Sequence, residues 1–501
     1  MIEPDDPLPS ARLSALQIAL LLGLVLAGRL FALYALPLYD DAFITLRYAR
    51  NLADGAGMVF NPGAAWEPVL GTTTPGFTVL VALLLKLGGE PTATVLVLGI
   101  VLDLVSAGSI VALFRRRLVP TTVALVVFAV LPQIARIGVG GMESPLLVAL
   151  LLAGALAARA RRVWLTGLAV ALACVVRPEA VLFTVIFGLS FVRDRRALLR
   201  YAAVIAVVGF VSASLLTLFY GSPIPQSVQA KSSTHAAADA AAGFERMLEI
   251  ARQAFLPTLW LAPLLPVVVI GLLRSFRRRD GVHLVGAAAL AVVISYLIAR
   301  PHTWGWYYYL PLVAWSLWLG SGVEALVERF GCVNRAALER RVRFALPVIV
   351  AGAAVASSLV IWPRPDLVTQ HVYRPLEHFV RANGIDGADR ILASDIGAIA
   401  YYSNCIVLDS EGLTWPAALD FKGDGPGMTN AQIEILDAER PEWVIFVAER
   451  PRIAAFRSRP ELVAAYEPVA RFNVENDREL EPALDDLPPH WMQDYLVYRR
   501  R

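Results

Sequence analysis

Apolar runs recur along the chain, at roughly 13–36, 76–88, 92–114, 119–136, 144–159, 164–192, 201–219, 254–273, 282–299, 307–326 and 343–361. A helix needs about 20 residues to cross the hydrocarbon core of a bilayer, and most of these runs reach or approach that length. The first, Leu13 to Leu36, is longer than a secretory h-region and ends in Pro-Leu-Tyr-Asp-Asp instead of a small-residue cleavage site. It reads as a retained spanning helix. The short 76–88 run suits a re-entrant or interfacial segment. The 164–192 run suits one tilted span or two short ones meeting at Arg177-Pro178-Glu179, and the basic residues at both its ends favour two. About eleven crossings are expected.

Basic clusters set the sidedness. Arg115 to Arg117, Arg159 to Arg162, Arg193 to Arg196, Arg274 to Arg279 and Arg340 to Arg343 all fall between apolar runs, and such clusters collect on the cytoplasmic side. The 37–75 loop, the 137–143 turn, the 220–253 segment, the 300–306 turn and everything after 362 are then outside. Beyond 362 the pattern changes to short apolar strands, "RILASD" at 390–395, "CIVLDS" at 405–410 and "EWVIFV" at 442–447, separated by polar stretches with Gly and Pro. That alternation predicts a small α/β domain. The expected architecture is an α-helical polytopic membrane module over 1–361, with 37–75 as its first external loop, and an extracytoplasmic α/β domain over 362–501.

Composition agrees. Of 501 residues, 57% are hydrophobic and 17% charged, with mean hydropathy +0.58, which excludes an ordinary soluble domain. Residues 362–501 carry 15 Lys and Arg against 23 Asp and Glu, and residues 1–361 carry 30 against 19. A basic membrane part reflects cytoplasmic loops, so no nucleic-acid partner is implied. Cys174, Cys332 and Cys405 are far apart and suggest neither a disulfide framework nor a zinc site.

The chemistry-bearing residues gather on the outer side. Asp40 and Asp41 follow the first span and precede a stretch in which Ala42, Leu46, Ala49 and Ala53 recur at helical spacing, with Arg47, Arg50 and Asn51 on other faces. This predicts a helix lying in the membrane interface. One Asp suffices to cap such a helix; the second is unexplained. Glu143, Arg177, Glu179, Lys231 and His302 lie on the same predicted side, with the aromatic turn Trp304, Trp306, Tyr307, Tyr308 and Tyr309. Arg177 paired with Glu143 or Glu179, and the rings as an interfacial belt, are the plain structural alternatives. Together the set offers a cleft in which a carboxylate acts as general base and a cation stabilises a phosphate leaving group. The paired acids Asp40 and Asp41 are equally suited to holding a divalent cation such as Mg or Mn.

"DDAFITLRYARNLADGAGMVFNPG", "GTTTPGFTVLV", "GGMESPLLVALLL", "RPEAVLF", "YGSPIPQSVQAK" and "ASDIGAIAYYSNCIVLDSEGL" together resemble the polyprenyl-phosphate-sugar-dependent membrane glycosyltransferases of the C-type fold. The nearest resemblance is to the mycobacterial-type terminal arabinofuranosyltransferases. It implies an inverting transfer of a sugar, arabinofuranose or a hexose such as mannose, from a polyprenyl monophosphate to a cell-envelope glycan, lipid or protein at the outer face of a bacterial plasma membrane. By position it implies Asp41 as base with Asp40 beside it, Arg177 and Lys231 on the donor phosphate, and Glu143, Glu179, His302, Trp304 and Tyr307 around the substrate. The stretch "AAWEPVLGTTTP" departs from close relatives and bears on the acceptor. The competing classes are a flippase of lipid-linked sugars and a lipid-diphosphate-glycan polymerase or ligase; the acids cluster at one face instead of mid-span and no matched halves are visible, which favours the transferase.

Overall fold

The computed structural model describes residues 11–35, 38–228, 263–299, 304–330, 368–387, 389–421, 428–477 and 494–501, with a few isolated positions besides. The 343–361 run and residues 254–262 of the 254–273 run, with Lys231 and His302, lie outside the described residues. Two compact units form: one of Met1–Ala35, Val95–Phe210 and Phe244–Pro363, the other of Leu36–Thr94, Val211–Gly243 and Arg364–Arg501. The sequence boundary near 361 follows chain order. This division follows packing, and it groups the 37–75 loop with the C-terminal residues.

Numbered in chain order, the first unit contains α1 (Ala15–Ala35), α4 (Pro91–Leu113), α5 (Leu118–Val130), α6 (Pro132–Gly138), α7 (Ser144–Arg159), α8 (Val163–Val176), α9 (Val181–Gly188), α10 (Arg195–Tyr220), α11 (Leu265–Arg278), α12 (Val282–Ala299) and α13 (Tyr309–Phe330), with the ends of α4 and α10 falling in the second unit. Among the described residues four helices are long and apolar enough to cross a membrane, or up to six if the bent pairs α5–α6 and α11–α12 each count as one span. Pro132 marks the 67° bend of the first pair, because its ring cannot continue the helix ladder. The 164–192 run breaks at Arg177, where α8 stops and a 3₁₀ turn over Pro178–Ala180 leads into α9. Along α10 large apolar side chains such as Phe210 and Leu218 stay exposed, as expected of a helix whose surroundings are lipid.

Close approach holds the bundle together. A Cβ on Gly271 of α11 would sit 1.7 Å from the Trp318 carbonyl oxygen of α13, and one on Gly322 would sit 1.9 Å from the Val267 carbonyl oxygen. Such small-residue contacts replace the hydrophobic drive that lipid does not supply. A fully buried pair adds specificity: Arg29 Nε donates to Asp103 at 2.6 Å, and the Arg29 Nη1 donates to the Phe128 and Ala129 carbonyls. At one end of the unit Arg117, Arg274 and Arg278 meet Glu324 of α13, and Arg274 and Arg278 also meet Glu328. Arg159 reaches the Leu113 and Ala112 carbonyls. Three of the clusters expected on the cytoplasmic side therefore share one end.

The second unit contains α2 (Asp40–Ala53), α3 (Pro75–Lys86), α14 (Arg374–Ala382), β1 (Arg390–Ala393), α15 (Ile396–Ser403), β2 (Ile406–Asp409), α16 (Met428–Glu439), β3 (Trp443–Val447), α17 (Arg450–Arg457), α18 (Pro460–Ala465), β4 (Tyr466–Phe472) and β5 (Tyr495–Arg500). At 12 residues, α3 rises about 18 Å, too short to span. The sheet order is β2-β1-β3-β5-β4, with β1 parallel to β2 and β3, and β5 antiparallel to β3 and β4. β1, β2 and β3 are the strands the sequence predicts. β4 and β5 are additional; Pro468 in β4 sits at a register shift on an edge strand, a place where a missing N–H costs no ladder bond.

The interfacial placement of α2 is corrected by the structure. Every residue from Ala42 to Ala49 is buried, Arg47 included. The Arg47 guanidinium is accommodated because it donates to the carbonyls of Phe60, Ala400 and Cys405, which satisfies a charge that would otherwise be costly to bury. Asn61 lies beside edge strand β2 and exchanges two 3.0 Å hydrogen bonds with the Val407 backbone, so its amide acts as one more rung on the exposed edge.

Candidate active site

The acid pair opens α2, where negative charge suits the helix dipole. Asp40 does more than that. Its Oδ2 accepts from the Gly397 N–H at 3.0 Å and its Oδ1 from the Ala398 N–H at 2.9 Å, so it caps the first turn of α15. The residue at the N-cap position of α15, Asp395, makes no capping bond of its own and instead accepts a 3.2 Å hydrogen bond from the Tyr495 hydroxyl. Gly397 makes the contact geometrically feasible: a Cβ there would lie 2.0 Å from the Asp40 carbonyl oxygen.

Three acids therefore converge. Burial, then the charge of Asp395, push the Asp40 carboxyl above its usual range, with a smaller push from Asp41, while the Ala398 and Gly397 amides oppose them. Burial also raises Asp395, against the pull of Arg452 and the Tyr495 hydroxyl. Asp41 is half-buried next to this cluster.

The second group of expected residues closes on itself in the first unit. Arg177 donates from Nη1 to Glu143 and from Nε to Glu179 at 2.5 Å, and its guanidinium lies 4.6 Å from the centre of the Tyr307 ring. The Tyr296 hydroxyl donates to Glu179 at 3.0 Å. Trp304 stacks on Trp306, and Trp306 on Tyr307. The structure thus brings Glu143, Arg177, Glu179 and Tyr307 together, and separately Asp40 with Asp41. Asp395, Tyr495 and Tyr296 were not foreseen. Neither were Arg29 and Asp103, although a charge inside an apolar run is a readable signal.

The acid pair offers a divalent cation only part of a coordination shell. Both Asp40 oxygens already accept amide hydrogens, and among the described residues no three Asp, Glu, His or Cys side chains form a group that holds a metal.

Residues 72–301 match the model of glycosyltransferase family 87, and residues 366–498 match a domain of unknown function. This chain is a glycosyltransferase. The family model spans the Glu143, Arg177, Glu179 and Lys231 motifs and begins after the acid pair. No curated protein matches the sequence. Among solved structures the glycosyltransferase is similar to ArnT from Cupriavidus metallidurans bound to undecaprenyl phosphate, at 11% identity over 97% of this chain and 98% of that one, with a TM-score of 0.61. The same protein in its apo state gives 12% identity, 96% and 97% coverage and a TM-score of 0.59. An oligosaccharyltransferase from Archaeoglobus fulgidus, in complex with zinc and sulfate, gives 13% identity over 93% of this chain and 74% of that one, with a TM-score of 0.54. At these identities the likeness carries the C-type membrane fold of the glycosyltransferase.

Proposed function

We propose that this glycosyltransferase moves a sugar from a polyprenyl-monophosphate donor to a cell-envelope glycan, lipid or protein, at the outer face of a bacterial plasma membrane that it crosses about eleven times. Arabinofuranose is the first donor sugar to test and a hexose such as mannose the second. In a single displacement Asp41 takes the proton of an acceptor hydroxyl. The oxygen attacks the anomeric carbon opposite the phosphate, the bond to the phosphate oxygen breaks with its electron pair, and polyprenyl phosphate departs with the configuration at carbon inverted. Lys231 is the residue we assign to the leaving phosphate, where a cation offsets the developing charge. Arg177 is already engaged by two carboxylates, so we read it as the residue that fixes the α8–α9 break.

The observation that carries this reading is the division of labour within the pair. Asp40 is committed to two backbone amides, and this supports placing the base at its neighbour. Fold-level similarity to a protein seen with undecaprenyl phosphate supports the donor class. The test is mass spectrometry of lipid-reconstituted protein with polyprenyl-monophosphate pentoses and hexoses plus envelope extract. Transfer that persists in Asp41→Asn would remove Asp41 from the mechanism, and failure of every donor would remove the reaction.

A further inference from the structure

The second unit contains a cleft of about 330 Å³, at the small end of ligand-binding pockets. Its walls come from three places: Trp66 to Leu70 after α2, Tyr220 to Gln226 after α10, and Trp415 to Ala417 after β2. These segments are tied to one another and to the core. The Gln226 N–H donates to the Leu70 carbonyl at 2.8 Å, the Tyr48 hydroxyl to the Val69 carbonyl at 2.7 Å, and the Tyr220 hydroxyl to the Met58 carbonyl at 2.5 Å. The cleft is therefore preformed, and a ligand entering it need not order the walls first.

Its chemistry is specific. Two indoles meet there, Trp66 and Trp415, with ring centres 6.4 Å apart and planes tilted 47°. Trp415 is itself backed by Phe421, 6.3 Å away, and Trp66 packs against the core of the C-terminal domain. Beside the rings stand the exposed Glu67 carboxylate and the Gln226 side-chain amide. Among the described residues that line the cleft there is no Lys or Arg.

We propose that this cleft binds the acceptor glycan. An indole offers a flat apolar face to the C–H face of a sugar ring, and a carboxylate with an amide offers paired acceptors and a donor to its hydroxyls. The Glu67 carboxylate repels a phosphate, so the rings and polar groups suit a neutral polyhydroxyl chain better than the donor headgroup. The assignment to the acceptor rests on the transfer reaction proposed above.

The test uses full-length protein in lipid nanodiscs. Calorimetric titration with neutral arabinan and mannan oligosaccharides compares wild type with Trp66→Ala, Trp66→Phe, Glu67→Gln and Asp41→Asn, alongside acceptor KM and donor consumption. Trp66→Ala should weaken oligosaccharide binding about tenfold, with Trp66→Phe recovering part of it. Glu67→Gln, a surface change that leaves folding intact, should weaken it about fivefold. Asp41→Asn should bind normally, and acceptor KM should rise in the cleft variants while saturating turnover holds. Binding unchanged in both Trp66→Ala and Glu67→Gln would overturn the proposal, as would absence of any oligosaccharide binding in wild type. A Trp66→Ala effect confined to bilayer partitioning would make the ring a membrane anchor and overturn it equally. If wild type binds oligosaccharide through Trp66 but transfers no sugar, the transferase reaction fails and the glycan cleft stands.

Discussion

Two groups of acids in this molecule, each at least half-buried, solve the same problem in opposite ways. Around the α8–α9 break, Glu143 and Glu179 are held by the guanidinium of Arg177, so charge meets charge and little is left to act on a substrate. At the start of α2, Asp40 is held by the uncharged N–H groups of α15, while Asp395 and Asp41 remain as further acids beside it. Amide dipoles stabilise a carboxylate without supplying a counter-ion. On the proposed reading the first arrangement is an anchor. On the same reading the second supplies the general base.

Substitutions at each group separate these roles. The largest effect belongs to Asp41→Asn, expected to cut sugar transfer about 10²- to 10⁴-fold, the usual scale of a lost general base, with the melting temperature little changed. Arg177→Gln strands Glu143 and Glu179 without their cation and should destabilise the protein by about 3–5 kcal/mol, seen as a lower melting temperature in nanodiscs. Arg177→Lys should recover only part, since one ammonium cannot serve two carboxylates in the fork geometry. Gly397→Ala forces a methyl against the Asp40 backbone and should cost about 1–3 kcal/mol. Asp40→Ala removes the cap alone at about 1 kcal/mol; if it abolished transfer outright without unfolding, the division of roles between the two acids would be wrong.

The smallest effect is one of pH. Asp40 binds its proton more tightly in the folded protein than in the unfolded chain, so the folded state carries the extra proton as pH rises from about 4 toward neutrality and loses stability over that interval. Melting temperatures should therefore fall across this range more in wild type than in Asp40→Asn. An opposite slope would mean that the α15 amides outweigh burial.

Local features were legible in the sequence. The apolar runs marked helices, the Arg177-Pro178 step marked a break, and the first three strands were announced by their short apolar cores. β4 was hidden because Pro468 and Arg471 interrupt its alternation, and β5 because its apolar part is only "YLVY" at the end of the chain. The burial of α2 was invisible for a different reason. Arg47 reads as a solvent-facing charge until the carbonyls of Ala400 and Cys405 arrive, and those are more than 350 positions away. The same distance hid Asp395. The adjacency of Asp40 and Asp41 could be read; that Asp40 caps a helix more than 350 positions away could not.

That separation has a consequence for how the protein is made. Asp40 and its amide partner in Gly397 are 357 positions apart. At a ribosomal pace of roughly 5–20 residues per second, the acid pair emerges about 20–70 s before the helix it caps exists. During that interval the hydrophobic segments are translated and enter the bilayer while α2 lacks both its partner and the carbonyls that receive Arg47. A chain whose synthesis stopped short of Gly397 would reach the membrane without a completed acid pair. The packing around α2 is thus completed only after residues more than 350 positions later have been made.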